Sequence, residues 1–190
     1  KQAVGDGFGE DIPAIFTDEP QFTHKQFLRA AAGRQDLAWP WTVDLEESFA
    51  DQFSASMLEH FPEVIWDLPD GKPSLWRYRY HEWVAERFAS SFSDQIGDWC
   101  EANGIALTGH MMEESTLTKQ TKALGEAMRS YRKMHIPGID MLCDWEELTT
   151  AKQAQSAARQ FGRPGVLSEL YGVTGWHFDF RGHKRQGDWQ

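Results

Sequence analysis

The sequence predicts an α/β fold, part of a (β/α)8 TIM-type barrel of about four βα units with a long insertion after the first strand. Short apolar runs alternate with segments of helical periodicity, the units recur at intervals of roughly 30 residues, and each run delivers acids or a histidine at its C-terminal end.

The earliest run, Ile12-Pro13-Ala14-Ile15-Phe16-Thr17, reads as a strand ending in Asp18-Glu19-Pro20. Over residues 82–102, Val84, Phe88, Phe92, Ile96 and Trp99 lie at helical spacing, and Asn103-Gly104 supplies the stop. Ile105-Ala106-Leu107-Thr108 follows as a second strand, leading into Gly109-His110-Met111-Met112-Glu113-Glu114. Leu124, Met128 and Tyr131 share one face of a helix expected over 118–133, and Ile139-Asp140-Met141-Leu142-Cys143 reads as a third strand ending in Asp144. Thr149 or Thr150 is expected to cap a helix running to residue 161, which Gly162 closes before the last run, Gly165-Val166-Leu167-Ser168-Glu169-Leu170.

Alternation of this kind argues for a parallel sheet with helices outside it. A doubly wound sheet would satisfy it too, but the polar residues gather at strand ends and no GxGxxG loop follows any strand, which weakens a nucleotide-binding reading. Residues 21–80 break the repeat with Trp39-Pro40-Trp41, a helical stretch over 45–61 and a proline-rich segment. They read as an insertion or lid folding over the barrel mouth. All of 1–190 reads as part of one barrel, and because four strands cannot close eight, the rest of the barrel or another copy of the chain is an expected partner.

Composition narrows the function. A net charge of -10 and a pI near 5.1 argue against nucleic-acid binding, since no long basic run is present. No apolar stretch approaches the roughly 18 residues of a membrane span. The first ten residues lack the apolar core of a signal peptide, which says little about export. Cys100 and Cys143 sit in apolar settings without CxxC spacing and read as buried free thiols. Nine Trp, twelve Phe and four Tyr are enough aromatics for either a large core or a sugar site, where ring faces stack on pyranose C–H faces.

Glycoside hydrolysis needs two carboxyl groups about the scissile bond, and strand ends hold such groups rigidly. Glu19 and Glu169 are the leading pair, with Glu113 and Glu114 as further catalytic candidates. Glu169 is the strongest, because an acid inside an apolar β run demands a partner or a use. Which carboxyl carries the proton is left open by the sequence. Asp18, His110, Tyr171, Trp176 and Arg79 are candidates for contacting substrate. No cofactor is required by the sequence; Asp140 and Asp144 are candidate calcium ligands, without an EF-hand loop.

Together, Phe16-Thr17-Asp18-Glu19-Pro20, Gly109-His110-Met111-Met112-Glu113-Glu114, Met134-His135-Ile136-Pro137-Gly138-Ile139-Asp140, Leu167-Ser168-Glu169-Leu170-Tyr171-Gly172 with Gly175-Trp176, and Gly187-Asp188-Trp189 resemble the catalytic barrel of bacterial family 106 α-L-rhamnosidases. The resemblance implies an inverting, exo-acting glycoside hydrolase on a (β/α)8 barrel, often calcium-assisted, that removes rhamnose from plant glycans or glycosides in a periplasmic or extracellular bacterial setting. The family's proteins are several times longer. The competing expectation is a non-catalytic carbohydrate-binding or assembly fragment of an incomplete barrel.

Overall fold

The computed structural model describes residues 2–142 and 146–190. Its centre is a four-stranded, all-parallel sheet: β1 (Ala14–Thr17), β2 (Ala106–Gly109), β3 (Ile136–Asp140) and β4 (Leu167–Glu169), in the order β1-β2-β3-β4. Strands adjacent in sequence are adjacent in space, with no reversal of order of the kind that opens a ligand crevice in doubly wound sheets. Register aligns Thr17 with Gly109, Gly109 with Pro137, and Asp140 with Glu169, so the C-terminal ends lie on the same side of the sheet, with β3 and β4 running three residues past the paired end of β2.

The helices are α1 (Leu45–Phe53), α2 (Met57–Ile65), α3 (Leu75–Ala89), α4 (Gln95–Ala102), α5 (Leu117–Ala123), α6 (Ala127–Tyr131), α7 (Leu148–Gln160) and α8 (Phe180–Trp189). One core lies between sheet and helices, where Leu107 and Ile139, with the partly buried Ile15, pack against Cys100, Tyr131, Met134 and Ala154. The alternating strand positions face the other way, and Phe16 there is 44% exposed.

The helix expected over 82–102 begins earlier, at Leu75, where the Ser74 side chain accepts from Trp76 N, and it continues through a π-type turn at Ser90–Asp94 into α4. The helix expected over 118–133 is two short ones. The break falls at Gly125, whose φ of 94° suits glycine and whose missing Cβ leaves room for Ala85, 2.4 Å from where that atom would stand. A helix boundary at Ser54, with φ of 55°, likewise divides the stretch expected over 45–61. β3 starts at Ile136, three residues before the apolar run suggested, because His135 N donates to Leu107 O and Ile136 pairs with Thr108. The cap of α7 is Glu147, whose carboxylate accepts from Thr149 N and Thr150 N, rather than either threonine. α8, capped by Asp179, was not foreseen. Cys143 and Asp144, the expected end of the third strand, lie outside the described residues, and Cys100 is a buried free thiol.

Within 21–80 a second core forms from Leu45, Phe49, Met57, Val64 and Tyr80, with Trp39 and Phe61 packed on it. It joins the sheet unit along α3, α5 and α6: Phe22 N donates to Ala123 O, and Lys25 N to Lys122 O. Arg129 of α6 reaches Glu82 of α3 at 2.7 Å, and Arg132 reaches Glu86 at 2.7 Å. Among the described residues no helix is long and apolar enough to cross a membrane.

Candidate active site at the strand ends

The rim formed by the strand ends brings together acids and a histidine. The chain leaves β1 through Asp18 and Glu19, β2 through His110, β3 through Asp140 and β4 through Glu169. Close approach of the first two strands depends on Gly109: at its φ of 134° a Cβ would stand 2.1 Å from Thr17 O. Glu19, in the following turn, has a φ of 47°, an uncommon conformation for a side-chain-bearing residue and one that clusters at functional sites.

His110 is 1% exposed and forms the middle of the cluster. Its Nε2 lies 2.8 Å from Glu169 Oε2 and 3.6 Å from Asp18 Oδ1, and the Phe16 ring meets it edge-on at 5.4 Å. The carboxylate can only accept, so Nε2 carries a hydrogen and donates to Glu169. Among the described residues Nδ1 is buried without a hydrogen-bond partner. Asp140 stands beside these groups. Burial raises its carboxyl above the ordinary aspartate range; His110 opposes the rise, while Glu169, Glu19 and Asp18 all add to it. The charges of Glu19 and Glu169 thus both act on the Asp140 carboxyl.

Beside the rim lies a cavity of about 400 Å³ whose lining includes Glu19, Glu113, Glu114, Lys119, Asp140 and Glu147, and no residue of 21–80. Glu113 pairs with Lys119 at 3.0 Å. Glu114 is different: 5% exposed, it takes Met111 N at 2.8 Å on Oε1 and Asp140 N at 3.2 Å on Oε2, with Tyr131 Oη 2.8 Å from Oε1. Burial raises its carboxyl to about 7, against the opposing pull of those three groups and of His110.

A larger cleft of about 670 Å³ runs between α7, β4 and α8, but Lys152, Arg159 and Arg163 are its charged residues and none of the rim carboxylates lines it. It borders the open edge of β4 on the helix side of the sheet.

Of the expected substrate contacts, the structure brings Asp18 and His110 to the rim. Arg79 lies elsewhere, its guanidinium over Trp76 at 4.5 Å and over Phe53 at 5.2 Å, where it packs the second core. Tyr171, with a φ of 71°, turns to His183 of α8 at 4.8 Å between ring centroids. Trp176 is fully exposed on the following loop. Asp140, like Glu169, stands inside an otherwise apolar run, a signal legible in the sequence; Tyr131 belongs by its spacing to a helix's apolar face, and nothing local marks its phenol as facing Glu114.

Asp18, His110 and Glu169 each offer an atom within 4.8 Å of the others, close enough to hold a cation. Two carboxylates and an imidazole do not match calcium, which takes six to eight oxygens, and the mixed nitrogen and oxygen donors suit zinc or manganese better. Asp140 is not in that group of three, and Asp144 lies outside the described residues.

No protein-family model matches the chain, and neither a curated protein nor a solved structure was found to match it.

Proposed function

We propose that the chain carries the site of a glycoside hydrolase of the α-L-rhamnosidase kind, with its sheet as four strands of a (β/α)8 barrel. The observation that supports this most is the gathering of Asp18, Glu19, Asp140 and Glu169 at the C-terminal ends of successive parallel strands around the buried His110.

In this reading Glu169, oriented by the His110 N–H, takes a proton from the water that attacks the anomeric carbon. The departing oxygen receives its proton from Glu19, which follows β1 across the sheet, or from Asp140, the register partner of Glu169 on β3. No step is routed through a cation. The substrate is a neutral carbohydrate, in keeping with an acidic rim that repels anions.

Release of rhamnose from an aryl rhamnoside by the purified chain tests the reading. Glu169→Gln should abolish release, and separate Glu19→Gln and Asp140→Asn substitutions assign the proton donor. Inversion at the anomeric carbon is the expected stereochemistry. A second reading, a carbohydrate-binding or assembly fragment, draws on the openness of the rim: the side chains of Asp18 and Glu169 are 73% and 42% exposed. Sugar binding without release at any chain concentration would favour it.

A further inference from the structure

The three oxygens that meet beside β3 do not balance if Glu114 is ionised. Tyr131 Oη lies 2.8 Å from Glu114 Oε1 and 3.1 Å from Gly138 O. A carbonyl oxygen only accepts, and a phenol has a single proton to give. Two hydrogen bonds among the three oxygens need two protons, and Glu114 is the group able to bring the second.

We propose that Glu114 is a neutral carboxylic acid whose O–H donates to Tyr131 Oη, which donates in turn to the Gly138 carbonyl, and that this chain fixes the end of β3 and with it Asp140. The remaining contacts fit a carboxylic acid better than any substitute. Oε1, as the hydroxyl oxygen, still accepts from Met111 N, and Oε2, as the carbonyl oxygen, accepts from Asp140 N. A glutamine would turn its NH2 toward one of those two backbone N–H groups. The backbone is pinned as well: Glu114 O accepts from Gln120 Nε2 of α5 at 2.6 Å and from Gln153 Nε2 of α7 at 3.1 Å.

Ionisation would undo the arrangement. Tyr131 would give its one proton to the carboxylate, the stronger acceptor, and Gly138 O would lose its donor. The new charge would face Asp140 at the end of β3, Glu19 beyond β1, Glu113 on its own loop and Glu147 at the head of α7, with Lys119 of α5 and the His110 imidazole as the nearby basic side chains. Lys119 is already paired with Glu113. Since burial brings the Glu114 carboxyl to about 7, the changeover falls at neutral pH. Glu114 is on this account a positioning residue: both its oxygens are engaged by protein groups. The inference does not rest on the hydrolase reading.

The test is a pH titration of the full chain labelled with 13C at side-chain and backbone carbonyls, with Glu114, Gly138 and Asp140 assigned through the wild-type backbone so that it does not hinge on a variant folding. The expected result is a Glu114 carboxyl carbon that titrates near pH 7 rather than 4.5. The Gly138 carbonyl carbon should shift with the same midpoint, separable from the Asp140 transition. In Tyr131→Phe the Glu114-linked response at Gly138 should vanish. A Glu114 carbon titrating in the ordinary glutamate range, or a high midpoint with Gly138 unresponsive, overturns the proposal.

Discussion

His110, at the end of β2, donates from Nε2 to Glu169 at the end of β4, 2.8 Å away, across the intervening end of β3. The imidazole is buried while its partner carboxylate is partly open to solvent, so the histidine fixes where the acid points. Removing it should misdirect Glu169 without unfolding the chain. For His110→Gln we expect about a 10²-fold fall in kcat on an aryl rhamnoside, with an unchanged far-UV spectrum. Wild-type turnover in that variant would remove Glu169 from the base role.

Gly109 holds β1 and β2 at a distance no side chain allows. Gly109→Ala places a Cβ 2.1 Å from Thr17 O at a φ of 134°, so β1 must move or the backbone must change region. A loss of about 2–4 kcal/mol in denaturant unfolding is expected. A loss under about 1 kcal/mol would show that the strand ends are looser than described.

Lys25 is wholly buried, its Nζ 2.8 Å from His81 Nδ1 and 5.0 Å from the centre of the Phe22 ring. Burial lowers its amine from 10.5 to about 7. Between those values the unfolded chain binds the extra proton, so this group's contribution makes stability rise with pH, by at most about 1.4 kcal/mol per unit. His81, lowered to about 3 chiefly by burial, acts the same way only in more acidic solution. Unfolding measured at about pH 7.5 and about pH 9.5 should show the rise in the wild type and a flatter profile in Lys25→Met. Equal slopes would mean that the amine reaches water.

Glu147 satisfies the N-terminal amides of α7 by accepting from Thr149 N at 2.6 Å and Thr150 N at 3.0 Å. Glu147→Ala should lower stability by about 1 kcal/mol. That corresponds to about 2–4 °C in Tm for a chain of this size. Substituting Thr149 should do much less, and the reverse order would return the cap to the threonine.

The βα alternation was readable because periodicity reports burial directly: Leu107 and Ile139 are apolar and face the helices, as their runs suggested. Boundaries were harder. Glu147 outcompeted two threonines for the α7 cap because a carboxylate offers two acceptor oxygens, and Gly125 broke a helix whose apolar pattern ran straight through it. The acids at strand ends were visible as a group, but their division of labour was not. Glu113 and Glu114 are sequence neighbours, yet one is ion-paired at the surface and the other is buried against Tyr131.

By itself, then, the sequence determined the parallel α/β character, the acidic surface and the placement of carboxylates and a histidine after successive apolar runs, because side-chain polarity and chain direction are local properties. Only the tertiary structure decided that His110 spans β2 to β4, that Asp140 belongs with Glu19 and Glu169, and that Arg79 serves a different core. These follow from register and packing between segments far apart in the chain, where the proton a carboxyl holds depends on neighbours that no local pattern specifies.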